Sequence, residues 1–85
     1  MSHLLLFYGR ECEHSDAMLP LIAKLEDELS IKVLRLESWH NPDNAKLLRD
    51  CDKGFCGGTP FLLNKKTGRW ICGNVDYNML KSWAK

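Results

Sequence analysis

The apolar residues of this chain alternate between two periods. His3 to Tyr8 is a short, nearly continuous apolar run closed by Gly9, the pattern of a strand buried on both faces. From Ser15 the period changes. Met18, Leu21, Ile22, Leu25 and Leu29 recur at three- and four-residue steps, which is the stripe of an amphipathic helix, with Lys24, Glu26 and Asp27 free to face water. Pro20 falls inside this helix, removes a backbone donor and predicts a kink. Ser30 to Glu37 then alternates apolar with polar over most of its length and predicts a second strand.

Asn41-Pro42-Asp43 reads as a helix start, with Asn as the N-cap and Pro at the first helical position. That helix should run to about Cys51 and bury Ala45, Leu47 and Leu48. Lys53 to Thr59 is a glycine-rich loop without a regular period. Phe61-Leu62-Leu63 and Trp70-Ile71-Cys72 read as two strands joined by the polar turn Asn64 to Arg69, hence a hairpin. A last helix starts near Asn74 or Val75 and buries Tyr77, Leu80, Trp83 and Ala84. The resulting order is β-α-β-α-β-β-α. An opening βαβ unit implies a parallel pair with a right-handed crossover, and the hairpin adds antiparallel strands. The expected fold class is therefore α/β: a four-stranded mixed sheet with helices on both faces, forming one domain over residues 1–85.

Charge narrows the function. Twelve basic residues face eleven acidic ones, with no basic run or acidic tail. This argues against nucleic-acid and anionic-membrane partners, whose recognition rests on concentrated positive charge. No segment approaches the ~20 apolar residues of a membrane span, and Met1 to Tyr8 lacks the basic and long apolar regions of a signal peptide. The expected location is cytoplasmic. In a reducing compartment the four cysteines, Cys12, Cys51, Cys56 and Cys72, are expected to be free, catalytic or metal-bound rather than paired.

Cys12 carries the chemistry. It follows the first strand at the start of the first helix, where unpaired backbone N–H groups and the helix dipole stabilise a thiolate. His14 would add to this if protonated, and Arg10 supplies a nearby positive charge, while Glu11 and Glu13 act in the opposite direction. The ordinary alternative is a cysteine that only packs. Trp70 and Trp83 fit core faces; Trp39 and His40, between the second strand and the second helix, could meet a ligand or partner, but Trp39 reads rather as a cap on the core. Cys12, His14 and Cys56 could converge on zinc, but the chain lacks the close ligand pairs of metal sites, so no metal is assigned.

Three features together resemble the thioredoxin superfamily over nearly the whole chain: Cys12-Glu13-His14-Ser15 after the first strand, Pro20 in the following helix, and Thr59-Pro60 before the third strand. The short layout looks most like glutaredoxin. The resemblance implies a thioredoxin-like fold, a nucleophilic Cys12, and a cis-proline at Pro60 that presents the backbone of Thr59 to an extended substrate. It also implies a glutathione-binding element, matched in part by Arg10 and by Asp76 in Cys72-Gly73-Asn74-Val75-Asp76. Glu11 departs from the tryptophan of thioredoxins, and the first strand holds no buried acid.

The largest departure is Ser15, where a dithiol enzyme has its resolving cysteine. Three arrangements are open. The chain is a natural monothiol form using glutathione as co-substrate, or Ser15 is an introduced replacement that traps the intermediate, or Cys56 resolves in its place. The expected activity is thiol–disulfide exchange on protein disulfides or glutathione mixed disulfides by a monomer, with no bound cofactor and a reductase as electron donor. The rival is a non-catalytic module binding extended peptides beside the cis-proline. A third reading is a glutathione-dependent iron–sulfur carrier.

Overall fold

In the computed structural model, which describes residues 3–54 and 56–85, seven elements follow the order β1 (Leu4–Tyr8), α1 (Glu13–Leu29), β2 (Leu34–Glu37), α2 (Pro42–Asp52), β3 (Phe61–Asn64), β4 (Trp70–Cys72) and α3 (Tyr77–Ala84). Met1, Ser2 and Phe55, read above as part of the N-terminal run and of the glycine-rich loop, lie outside the described residues.

The four strands form one mixed sheet in the order β2-β1-β3-β4. β1 runs parallel to β2 and antiparallel to β3, and β3 runs antiparallel to β4. Side chains of β1 alternate between two cores. Leu4 and Leu6 join Met18, Ile22 and Leu25 of α1, Leu62 of β3, and Leu80 and Trp83 of α3. Leu5 and Phe7 join Phe61, with Leu36 of β2 and Leu48 and Cys51 of α2 packed against them. α1 and α3 thus cover one face of the sheet and α2 the other, and β1 is apolar throughout because both of its faces are dry.

Caps decide several element ends. Asn41 Oδ1 accepts from the N–H groups of Asp43 and Asn44 at 3.0 and 3.1 Å, with Pro42 opening α2. Asp76 Oδ1 accepts from Met79 N at 2.9 Å, so α3 starts at Tyr77 rather than at Asn74 or Val75. β2 begins at Leu34, not Ser30. Ser30 takes a left-handed cap conformation at φ 53°, and Glu26 binds the N–H of Val33 at 2.9 Å, so these residues end α1 instead of joining a ladder. Pro20 lies inside α1, which continues on both sides of it.

Three apolar expectations are corrected. Leu47 is 40% exposed, because Leu48 is the α2 residue that meets the sheet and its neighbour is turned away from it. Trp70 is 43% exposed because it lies on the outer edge strand, leaning on the Phe61 ring at a centroid distance of 6.2 Å. Trp39 does not cap a core, and is 52% exposed. Among the described residues no helix is long and apolar enough to cross a membrane.

The hairpin is tied to α3 by Asn64, which is fully buried. Its Nδ2 donates to the Trp83 carbonyl at 2.9 Å, and its Oδ1 accepts from the N–H groups of Lys66 and Thr67 at 3.0 and 3.3 Å. Asn64→Ala should lower the unfolding free energy by about 2–3 kcal/mol, since it leaves buried polar groups unpaired. Urea titration measures this as a lower midpoint with an unchanged slope.

Candidate functional site

The strand directions gather four segments at one edge of the sheet. β1 and β2 end there, β3 begins there, and β4 ends there, as the pairs Tyr8↔Glu37, Phe7↔Phe61 and Phe61↔Cys72 show. Cys12 sits in the middle of this edge. Its N–H donates to the Gly9 carbonyl at 3.0 Å, closing a turn at the end of β1, and its own carbonyl accepts from Asp16 N at 2.9 Å to open α1. Cys12 is thus the N-cap residue of a 17-residue helix, and its thiol lies at the positive end of the helix dipole.

On the other side, the Thr59–Pro60 peptide bond is cis. The Cys12 Sγ donates to the Thr59 carbonyl at 3.8 Å. Ser15 is fully buried one helical turn on, where its Oγ accepts from Gly9 N at 3.3 Å. Burial pushes the Cys12 thiol up. Hydrogen bonds from the Ser15 hydroxyl and N–H, from Thr59 and from the His14 N–H outweigh it, and hold the thiol below its ordinary value. The Thr59 hydroxyl that contributes to this lowering is buried and has no other hydrogen-bond partner among the described residues. Cys51 is the contrast: burial raises its thiol, Lys65 and Lys53 do not reverse the shift, and Asp50 adds to it.

Two carboxylates fix the loops on either side. Glu37, buried at the end of β2, accepts from Arg10 N at 2.9 Å, from Trp39 N at 3.2 Å and from His40 N at 2.7 Å. Burial raises its carboxyl, and these three N–H groups together with the His40 charge bring it below the ordinary value. His40 Nε2 also meets the Glu11 carboxylate at 2.7 Å. Asp52, at the end of α2, accepts from the N–H groups of Cys56 and Gly57, both at 2.6 Å. Neither acid was singled out in the sequence. An isolated carboxylate at an element end carries no local signal, although Glu37 just before a loop and Asp52 just before a glycine-rich one stand where such a cradle forms.

The residues predicted for the site divide accordingly. Cys12, Ser15, Thr59 and Pro60 come together. His14 contributes its backbone N–H, while its side chain is exposed. Arg10 is exposed and enters the site through its backbone bond to Glu37. Asp76 caps α3 just after Gly73, whose N–H donates to the Pro60 carbonyl at 2.9 Å.

Cys56, open above as a resolving thiol, and Cys72 are both expected to be unpaired. They instead form a disulfide, with Cα atoms 5.4 Å apart and a sequence separation of 16. Pairing of β4 with β3 sets Cys72 opposite Phe61, and Asp52 folds the Cys56 loop back onto it. Cys12 and Cys51 are the free thiols. The grouping of Cys12, His14 and Cys56 on a metal is not formed, since the Cys56 sulfur is bonded to Cys72. Among the described residues no three His, Cys, Asp or Glu side chains are placed to hold a metal ion.

No protein-family model matches the chain, and no curated protein matches it at a significant level. The fold and site define a small α/β domain with a thiol of lowered pKa at a helix start, facing a cis-proline.

In cysteine-resolved alkylation with iodoacetamide, Cys12 should reach half its maximal rate at a pH below the roughly 8.5 of a free thiol. Cys51 should require a higher pH, and Cys56 and Cys72 should react only after reduction.

Glu37 supplies an acid-side test. Folding lowers its pKa, so its stabilising effect is full above the ordinary carboxylate value of about 4.3 and is lost as pH falls through the lowered folded value. In denaturant titrations from pH about 6 down to about 3, Glu37→Gln should lose less stability than the parent. Glu26, also shifted down despite burial by the Val33 N–H and by Arg35, keeps the variant from becoming pH-independent.

Proposed function

We propose that this protein is a thioredoxin-like thiol–disulfide oxidoreductase with Cys12 as its nucleophile. The observation that supports this most directly is the Cys12 thiol, lowered by Ser15, Thr59 and His14 donors and lying 3.8 Å from the Thr59 carbonyl beside cis-Pro60. A thiolate is the attacking species in disulfide exchange. Arranged hydrogen-bond donors favour it before any substrate arrives.

The step balances without an external oxidant. The Cys12 thiolate attacks one sulfur of a substrate disulfide, a bond forms between the two sulfurs, and the original S–S bond breaks. The second substrate sulfur leaves as a thiolate and takes a proton from water. Ser15 stabilises the starting thiolate but cannot attack the mixed disulfide, so a second thiol from solution completes the cycle; glutathione is the co-substrate this reading assigns. Cys56 is occupied by its bond to Cys72, which favours an external resolving thiol. Substrates are protein disulfides or glutathione mixed disulfides, and a reductase would regenerate the thiol pool.

The test is a single turnover with a peptide joined by a disulfide to thionitrobenzoate, whose release is read by absorbance. At pH about 6.5, the protein should release it at least about tenfold faster than free cysteine, which holds little thiolate there. Ser15→Ala should move the pH midpoint of the reaction upward. Ser15→Cys should add turnover of insulin disulfides with dithiothreitol as reductant. A parent protein no faster than free cysteine, together with no gain in Ser15→Cys, would make the domain a peptide-binding module.

A further inference from the structure

We infer that Trp39 is a substrate-specificity residue: its exposed indole, fixed beside Cys12, receives an apolar side chain next to the reactive cysteine of a polypeptide disulfide. The inference rests on the disulfide-exchange reading of Cys12 and selects polypeptide substrates over glutathione conjugates within it.

Trp39 belongs to neither hydrophobic core, and half of it is open to solvent. Its position is nevertheless defined. Its N–H is held by Glu37, the same carboxylate that holds Arg10 N and His40 N. Its ring lies directly over Gly9, so that a Cβ at residue 9 would run into the indole. Gly9 in turn accepts from Cys12 N at 3.0 Å and donates to Ser15 Oγ at 3.3 Å. The indole is thus seated on the turn that positions the nucleophile. A tryptophan that merely covered Gly9 would need only one of its faces. Here the remaining area is left wet, and the residues next to Gly9 and Trp39 in sequence, Arg10 and His40, are exposed and polar, with Glu11 paired to His40. An aromatic surface bordered by polar groups has the composition of a binding hot spot.

The sheet order fixes what can reach it. At the site edge β1 lies between β2 and β3, so Cys12 lies between the Trp39 loop on one side and Thr59–Pro60 on the other. Neighbouring strands are about 4.8 Å apart, and an extended chain advances about 3.3 Å per residue. A substrate lying across the edge with its cysteine over Cys12 therefore sets a side chain one or two positions away over Trp39. Glutathione carries no apolar side chain there, only peptide, carboxylate and ammonium groups. An aromatic or long aliphatic side chain gains both area burial and ring contact.

Two measurements test this, and the first needs no chemistry. A peptide with Phe at the two positions on each side of a central Ser, in place of its cysteine, is titrated while the three indole N–H signals are followed by proton NMR, assigned with Trp39→Phe. The Trp39 signal should move with peptide while those of Trp70 and Trp83 stay; a Trp39 signal unmoved at millimolar peptide overturns the inference. The second measurement is the ratio of thionitrobenzoate release rates for a Phe-flanked and a Ser-flanked cysteine peptide. The parent should favour the Phe-flanked peptide by about fivefold to tenfold. Trp39→Ala should bring the ratio to about one, and Trp39→Phe should keep most of it. A parent ratio near one, or a ratio unchanged in Trp39→Ala, overturns the assignment even when both peptides react quickly. Peptide binding at Trp39 without any accelerated release would instead remove the oxidoreductase reading and leave the platform standing.

Discussion

Everything at the site edge depends on β1 being buried on both faces. Leu4, Leu5, Leu6 and Phe7 are at most 3% exposed, and each such side chain contributes roughly 1.5–3 kcal/mol when removed from water. The strand is also hydrogen-bonded on both sides, to β2 and to β3. A segment held by two cores and two ladders does not shift. The turn that leaves it, from Gly9 to Cys12, therefore starts from a fixed point, and so does the helix that Cys12 caps. The position of the sulfur is a consequence of how thoroughly the preceding strand is buried.

The chemistry follows from what surrounds a buried sulfur rather than from burial itself. Cys12 and Cys51 make the comparison within one molecule. Burial raises both thiols. At Cys12 the first turn of α1 offers N–H groups that no helical carbonyl uses, and Ser15 adds a hydroxyl, so the anion is the better-solvated form. Cys51 lies in the last turn of α2, where the unpaired groups are carbonyls. It receives no such donors, and its two lysines are offset by Asp50. The same residue type is driven in opposite directions by the two ends of a helix. In this light Ser15 is a donor in its own right.

Local pattern carried the reading of this chain a long way, and it stopped where contacts became distant. The strand-to-cysteine-to-helix passage, the Asn41-Pro42 cap and the turn between β3 and β4 are legible because each is written within a few consecutive residues. Alternation continues through Ser30 to Val33, yet β2 starts only at Leu34, because Glu26 on the preceding helix claims the Val33 N–H. The exposure of Trp70 depends on β4 being an edge, which is a fact about sheet order and not about the strand itself. The Cys56–Cys72 bond and the Arg10–Glu37 bond join residues 16 and 27 positions apart. No periodicity encodes such pairs, and only the assembled sheet brings them into contact.

The two loops flanking Cys12 are held by one device used twice. Backbone N–H groups in loops need partners, and loops usually take them from water. Here Glu37 collects three of them and Asp52 collects two. Each carboxylate spends its charge on a loop that faces the thiol, and neither is among the groups that move the Cys12 thiol from its ordinary value. Rigidity is thereby obtained without setting an unpaired anion against a thiolate, which would have raised its pKa. The walls differ in what they add. The Asp52 side carries a covalent tie to β4 and presents backbone, the Thr59 carbonyl beside a fixed proline. The Glu37 side carries no such tie and presents a side chain, the Trp39 indole. Backbone recognises any extended chain alike, whereas a side-chain surface distinguishes one sequence from another, so under the proposed exchange reaction selectivity at this edge belongs to the Glu37 side.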